Sequence, residues 1–528
     1  MRRIWLLAFL AFFAIGASWA VTDPLGAPID EPQHMVWAAA VSDGQFSGPT
    51  YKQEVVWGYA LYQVHTEVRV PKEVAQLDTE FVCFARNMRA TPRCEAGLSN
   101  DSTDLVPYST MMGSYNPLYY LLVGWPVHVL PGLKGLYGMR LISALLCAAL
   151  LACAATTALR VGRAAFCGVV AAATPSVLFL TGSVNPNGPE AAGGLLAFAA
   201  LSALALDHRP EHTRSRLWNF ALGAGVVAIV RPVGLEWLLG LLVIGIVMIG
   251  VRRSRDLVRA RESWWPLGAL GAATLYAGVW DFTFGGLNTA KTATFNGYTL
   301  YDSLRDSFNS TSGYLQEMIG ITGWNENPAP WGAVIGWICV IAVLTLGAAM
   351  LADRRELSVL GLILAGIVFI PILANASQAK GLVNLWEGRY LMWWAVGLPV
   401  YAATLLAVRL DRMPATTGRR LPLFVFAVAT LAQLGVYWLV VRRYGTGLDA
   451  GTKASNSLLP SHLAWSPPHG WTPGLALLLI GLALIGTLLY LRRGYNGAPL
   501  AGADYPDDSP VRAEYPPIQV GFPTQRAS

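Results

Sequence analysis

The chain has 528 residues, of which 54% are hydrophobic and 13% charged, and a mean hydropathy of +0.44. That balance excludes a water-soluble globule; with repeated apolar runs near the roughly 20 residues that cross a bilayer, it describes an all-α, polytopic membrane protein. The formal net charge of +6 does not point to nucleic acid, because the arginines fall in short loops between apolar runs and set orientation there.

The first apolar run, residues 4–21, follows Arg2 and Arg3. Its Ser18-Trp19-Ala20 ending also fits a cleaved signal peptide, and on either reading the segment that follows is carried outward. That segment opens with the polar island Pro28-Ile29-Asp30-Glu31-Pro32-Gln33-His34. Pro32 suits the first turn of a helix through Met35 to Val41, with Asp30 or Glu31 as its cap. A cap alone does not call for adjacent acids and a histidine within one turn. The chemical reading is a carboxylate base for an acceptor hydroxyl, kept ionised by the helix dipole, with His34 orienting the acid or the acceptor.

Further along the same segment, Cys83 and Cys94 read as a disulfide in an oxidising compartment, and no partner at ligand spacing argues for zinc. Cys147, Cys153, Cys167 and Cys339 lie in apolar runs and read as small core residues. The Ser114-Tyr115-Asn116-Pro117-Leu118-Tyr119-Tyr120 stretch offers Tyr115, Asn116 and Tyr119 as substrate contacts, against the ordinary reading of an interfacial aromatic belt.

The run from Asn116 to Pro131 is short and broken by prolines, and counting it as a span sets Arg252 to Arg261 on the opposite side from Arg2 and Arg3. It therefore reads as a juxtamembrane or re-entrant helix. About twelve transmembrane helices remain: 4–21, 140–159, 165–181, 190–206, 217–231, 234–250, 265–281, 331–351, 357–373, 390–409, 421–440 and 472–491. The large loops 22–139 and 282–330 become extracytoplasmic. Residues 1–330 form a first membrane module, 331–493 a C-terminal transmembrane module, and 494–528, rich in Pro, Asp and Tyr, a disordered cytoplasmic tail.

This topology gathers Asp30, Glu31, His34, Arg140, Asn185, Asn187, Glu190, Arg231, Glu236, Asp281, Lys380, Glu387 and Arg389 at the outer face. Each one singly reads as an interfacial residue or a helix-end ion pair, but the one-sided set reads as a site, because ionisable groups at membrane depth are costly. Arg231 and Arg389 match phosphate oxygens, with Lys380, Glu387 and Tyr390 close to Arg389 in sequence and Asn185 and Asn187 as further candidate substrate contacts; a salt bridge from Arg389 to Glu387 is the competing use. The chain has no Walker loop, no strand-borne G-x-G-x-x-G, no G-x-S-x-G and no zincin pair. An activated donor for an extracytoplasmic enzyme must therefore arrive in the lipid phase.

The P-x-D-E-P-x-H of residues 28–34, the Y-x-P-L-x-Y-like element of Tyr115 to Tyr120, the Gly323-Trp324 pair and the late Gly388-Arg389-Tyr390 resemble a family of bacterial polytopic membrane proteins, domain of unknown function 2142 (DUF2142). That family looks like a branch of the GT-C superfamily of integral-membrane glycosyltransferases. The resemblance implies a GT-C-like fold whose large first extracytoplasmic loop carries juxtamembrane helices. It also implies a polyprenyl-phosphate-linked sugar as donor, an extracytoplasmic glycan or lipid acceptor, inverting transfer, and Asp30 as base with Glu31 as its rival. Many relatives are expected to carry an acid where this chain has Asn187. No cofactor is required, and a divalent cation is compatible with the paired acids but nothing calls for one.

The expected function is thus a glycosyltransferase of the bacterial cytoplasmic membrane working on the cell envelope. The alternatives are a transporter or flippase for an envelope lipid or sugar, and a noncatalytic partner in polysaccharide assembly. A transporter more naturally shows broken helices in corresponding halves, and this chain has no internal repeat.

Overall fold

With little polar side chain available, the backbone must satisfy its own hydrogen bonds, and the chain does so mainly as helix. The computed structural model describes residues 1–56, 60–80, 83–95, 104–284, 298–378, 386–409, 417–448 and 463–491. Helix α1 (Arg2–Thr22) leads through the polar island to α2 (Glu31–Ser42). Strands β1 (Thr50–Val56) and β2 (Ala60–Pro71), helix α3 (Lys72–Glu80) and strand β3 (Leu105–Thr110) follow. Next come α4 (Pro117–Gly124), α5 (Pro126–Val129), α6 (Leu133–Val161), α7 (Arg163–Ala172), α8 (Pro175–Thr181), α9 (Asn187–Leu206) and α10 (Thr213–Val230). After these are α11 (Gly234–Ile249), α12 (Val251–Arg259), α13 (Trp264–Thr283), α14 (Leu300–Asn309) and α15 (Thr311–Gly320). The last third holds α16 (Trp331–Ala349), α17 (Arg354–Gln378), α18 (Met392–Ala395), α19 (Gly397–Val408), α20 (Thr417–Thr446) and α21 (Thr472–Leu491).

Among the described residues, eight helices are long and apolar enough to cross a bilayer, or up to ten if two bent pairs each count as one span. Both bends have local causes. Pro175 forces Thr174 into extended backbone, so α7 ends and α8 restarts at 73°, with the Thr174 hydroxyl capping the Val177 N–H at 3.2 Å. Gly250, at φ +91°, turns the chain by 109° between α11 and α12. Arg355 fixes that corner by donating to the Val247 and Met248 carbonyls at 3.0 and 2.7 Å, two of the acceptors the end of α11 leaves open.

At the centre stands α9, buried at every residue from Asn187 to Leu204 and packed against α6, α10, α19 and α18. A helix apolar on all faces belongs in such a position. It carries Asn187 and Glu190 in its first turn. The segment 116–131 forms helices of eight and four residues, about 12 and 6 Å long and far short of the ~30 Å hydrocarbon layer. Helix α4 buries Tyr119, Tyr120 and Val123 and exposes Leu118, Leu121 and Leu122.

The all-α expectation lacks the antiparallel sheet β1-β2-β3 in the loop after α1 and a short antiparallel ladder that pairs Ile321–Thr322 with Asn327–Pro328. The signal of the sheet is the alternation along β2, where Thr66, Val68 and Val70 are buried and Glu67 and Arg69 exposed. The sheet sits against α2, since Thr110 donates its hydroxyl to the Gln33 carbonyl at 2.9 Å and the Met111 N–H reaches the Gln33 side chain at 3.0 Å. Cys83 is disulfide-bonded; the side chain of Cys94, its expected partner, lies outside the described residues. Cys147 and Cys167 are buried as expected, whereas Cys339 sits on the exposed side of α16, where an apolar thiol faces lipid as readily as core. Met1–Arg492 cluster as one unit; the remainder, including the tail from 494, lies outside the described residues.

The α11–α12 corner gives a direct test of this account. Gly250→Ala is expected to lower stability by about 1–2 kcal/mol because of its left-handed backbone. Gly268→Ala, where an added Cβ meets nothing within 4 Å, is expected to be neutral or slightly stabilising. Thermal melting of the detergent-solubilised protein compares the two.

Candidate active site

The two adjacent acids of the polar island have opposite surroundings. Glu31 is wholly buried in a salt bridge with Arg140 of α6, which is also wholly buried. The Arg140 Nε donates to Glu31 Oε1 at 2.9 Å and Nη2 donates to Oε2. The remaining donors go to the carbonyls of Ala20 (3.1 Å), Asp23 (2.7 Å) and Pro24 (2.7 Å). Glu31 further accepts the N–H groups of Val184 at 2.9 Å and Gly26 at 3.3 Å. This pair ties the end of α1, the island, α6 and the α8–α9 junction together and leaves Glu31 no approach for an acceptor.

Asp30 takes the N-cap position of α2 in left-handed backbone, φ 62°, without a side-chain cap bond. Asp tolerates that conformation better than most residues. Instead of capping, its carboxylate accepts from Arg389 Nη2 at 2.6 Å, and its side chain keeps 26% exposure. Arg389 also donates Nε to Glu387, so the salt bridge expected from sequence is present, and Nη2 reaches the Tyr390 hydroxyl at 3.1 Å.

Tyr390 joins the two arginines: the Arg389 and Arg231 guanidinium carbons lie 4.9 and 4.5 Å from its ring centroid. Arg231, at the end of α10, donates to Asn187 Oδ1 at 3.0 Å and to Glu190 Oε2 at 3.3 Å. Its Nε is buried with no hydrogen-bond partner among the described residues. Asn187 in turn donates to Asn185 Oδ1 at 2.7 Å, and Asn185 donates to the Ile29 carbonyl at 3.0 Å, next to Asp30. The network thus runs from the island through three distant segments and back.

His34 lies one turn along α2 from Asp30, with Nδ1 2.8 Å from the Tyr120 hydroxyl and its ring edge-on to Tyr115, centroids 5.5 Å apart. Burial, opposed by Asp30 and reinforced by Arg389 and Arg231, pushes its pKa down to about 3, so it is a neutral imidazole. Burial likewise pushes the Tyr120 and Tyr119 hydroxyls up. Asn116 caps α4 through the Leu118 N–H at 3.1 Å, and Tyr119 meets Ser143 at 3.0 Å, which gives both a packing role. Lys380 lies outside the described residues.

Two features escape a reading of motifs, the acid Glu317 and an aromatic chain, and a third explains the glycine that the Gly388-Arg389-Tyr390 motif contains. Glu317 of α15 accepts the Gly388 N–H, and burial, relieved by that bond and reinforced by Glu387, pushes its pKa up to about 7. Any Cβ at Gly388 would lie 2.3 Å from the Tyr314 carbonyl, which explains the glycine before Arg389. Finally, an aromatic chain leaves the site: Tyr390–Trp386 at 5.8 Å, Trp386–Trp237 at 6.3 Å and Trp237–Trp393 at 5.0 Å. The useful signal was the density of Trp around 386–394. No group of three or more His, Cys, Asp or Glu suited to a metal occurs among the described residues.

The family model described as "Predicted membrane protein (DUF2142)" matches residues 13–398, which include every residue of this network. The chain belongs to the DUF2142 family. No curated protein and no solved structure matches it. Gly323-Trp324, noted for its likeness to the family, has a definite task in this DUF2142 member: Trp324 Nε1 donates to the Gly26 carbonyl at 2.9 Å and holds the loop that leads into the island.

Two outcomes are expected. Arg140→Ala strands a buried carboxylate and should cost about 3–5 kcal/mol, seen as a large fall in melting temperature, whereas Glu31→Gln with Arg140→Met should recover part of it. For His34, the unfolded chain binds a proton near pH 6.5 that the folded chain refuses until about pH 3. Its contribution is therefore complete above pH 6.5 and declines as pH falls toward 3. Melting temperature against pH should lose part of that slope in His34→Gln.

Proposed function

We propose that this DUF2142 protein is an inverting glycosyltransferase that moves a sugar from a polyprenyl-phosphate donor to an extracytoplasmic glycan or lipid acceptor. The observation that carries the reading is the meeting of one partly exposed carboxylate, Asp30, with two guanidinium groups, Arg389 and Arg231, arranged about Tyr390. Transfer from a prenyl phosphate asks for those three groups and an apolar path for the lipid.

In this mechanism the acceptor oxygen attacks the anomeric carbon and forms the new glycosidic bond as its proton passes to Asp30. The bond from that carbon to the phosphate oxygen breaks, and the prenyl phosphate leaves with the electron pair, its charge met by Arg389 and Arg231. Attack opposite the leaving group inverts the anomeric carbon. Neutral His34, bound to Tyr120, orients the acceptor and does not itself take the proton. The aromatic chain through Trp386, Trp237 and Trp393 supports an apolar surface for the first isoprene units. Glu31 serves the scaffold, which leaves Asp30 as the base.

The accompanying topology has twelve spans in the bacterial cytoplasmic membrane, with the loop carrying α2 to α5 outside and the tail beyond 493 in the cytoplasm. Asp30→Asn is expected to abolish transfer while leaving expression and melting intact, read as loss of one envelope sugar linkage in a complemented deletion strain. Full restoration of that linkage by Asp30→Asn removes Asp30 as base. A cysteine at exposed Val129 should react with an impermeant maleimide added from outside, and reaction only after inner-face access would invert the topology.

A further inference from the structure

Asp30 and a phosphate-bearing ligand need the same guanidinium. We infer that the Asp30–Arg389 ion pair is a latch: it occupies the base while the site is empty, and the phosphate group of the donor opens it by taking Arg389. The inference rests on the proposed donor chemistry and adds an order of events to it.

Three observations support the latch. Asp30 makes no side-chain cap bond at the N-cap position of α2, adopts left-handed backbone, and pairs its carboxylate with a residue 359 positions away in sequence. A carboxylate kept only as a cap would bond its own helix. Second, the contested nitrogen is one end of a fork whose other end is anchored: Nε stays with Glu387, so Nη2 can exchange Asp30 for a phosphate oxygen while the guanidinium remains in place. Gly388, clamped by Glu317 and pressed against the Tyr314 carbonyl, holds the Arg389 backbone during that exchange. Third, Arg231, whose guanidinium also lies against Tyr390, has a buried Nε with no partner among the described residues, so a phosphate that reaches both arginines gains a donor that no described protein group occupies.

The consequence is ordered binding. An acceptor hydroxyl that arrives first meets a carboxylate already committed to Arg389. An acceptor that arrives after the donor meets a carboxylate whose counter-ion has turned to phosphate, and the base is released only when a leaving group is in place. Water that reaches the empty site meets the same committed base.

The test is equilibrium binding of farnesyl phosphate to the full-length protein in detergent, with inorganic phosphate as a parallel probe. Asp30→Asn, which suits left-handed backbone as well as Asp does, should bind farnesyl phosphate about ten-fold more tightly than wild type, a coupling of ordinary size. That gain should vanish when Arg389→Ala is present in both partners of the comparison. A gain that survives Arg389→Ala is through-space repulsion by Asp30 and overturns the latch, and so does equal or weaker binding by Asp30→Asn. If neither wild type nor Asp30→Asn binds farnesyl phosphate or inorganic phosphate although both melt normally, the prenyl-phosphate reading falls together with the latch. If inorganic phosphate alone shows the Arg389-dependent gain, the latch stands and the ligand is an aqueous phosphate, which overturns the lipid donor.

Discussion

The buried Glu31–Arg140 pair is the constraint on which the rest depends. Arg140 commits all five of its N–H donors, two to Glu31 and three to the carbonyls of Ala20, Asp23 and Pro24. Those carbonyls belong to the end of α1 and the loop beyond it, where backbone acceptors lack helical partners. Desolvating the two ions is expensive, and only so complete a set of bonds offsets it. Because Val184 and Gly26 also donate to Glu31, one ion pair sets the positions of α1, α2, α6 and the α8–α9 junction. The site is built on that frame.

The same frame separates two chemically equivalent neighbours. Successive residues at a helix start point in different directions, so fixing Glu31 inward leaves Asp30 at the edge, in backbone that few residues adopt. Its freedom from capping makes it available to Arg389. The α9 N-terminus contributes in a parallel way: Asn187 and Glu190 enter the network because α9 is buried throughout and cannot rotate them away. Asn187 illustrates why chemistry must be judged in place. An acid there would add a charge beside Glu190, whereas the amide both accepts from Arg231 and donates to Asn185.

Much of this was legible in the sequence, for physical reasons that differ by residue. Apolar length marks helices, and the loop arginines marked 116–131 as something other than a span; it is two short helices with an amphipathic face. Ionisable residues in so apolar a chain are rare enough that Asp30, Arg231, Glu387 and Arg389 stood out, and they do meet. The different surroundings of Asp30 and Glu31 were not legible in the residues themselves, because both acids suit a cap and a base; the family resemblance favoured Asp30, and the pairing of Glu31 with buried Arg140 supports that preference. Glu317 was hidden for another reason: it lies in a polar loop where an acid is ordinary, and its importance comes from one backbone N–H on a segment some seventy residues later. The sheet was missed although β2 alternates visibly, because period-two signals are short and easily lost between long apolar runs.

The charge inventory of the site explains why it can sit at the boundary of a low-dielectric bundle. Asp30 and Glu387 face Arg389, and Glu190 faces Arg231, so every guanidinium is opposed by carboxylate before any ligand arrives. An unopposed pair of arginines there would be costly to bury, and would also hold any passing anion. A site closed by its own carboxylates is instead selective by exchange. A ligand must supply enough charge and enough hydrogen-bond acceptors to replace Asp30, and it must reach between two guanidiniums stacked on one phenol ring. A phosphate group on an apolar chain meets those demands, since its oxygens match the forks and its tail matches the tryptophans beyond Tyr390. A neutral sugar alone brings no charge to displace Asp30, so under the proposed reaction the same carboxylate serves as base and, through its pairing with Arg389, as discriminator between charged and neutral ligands.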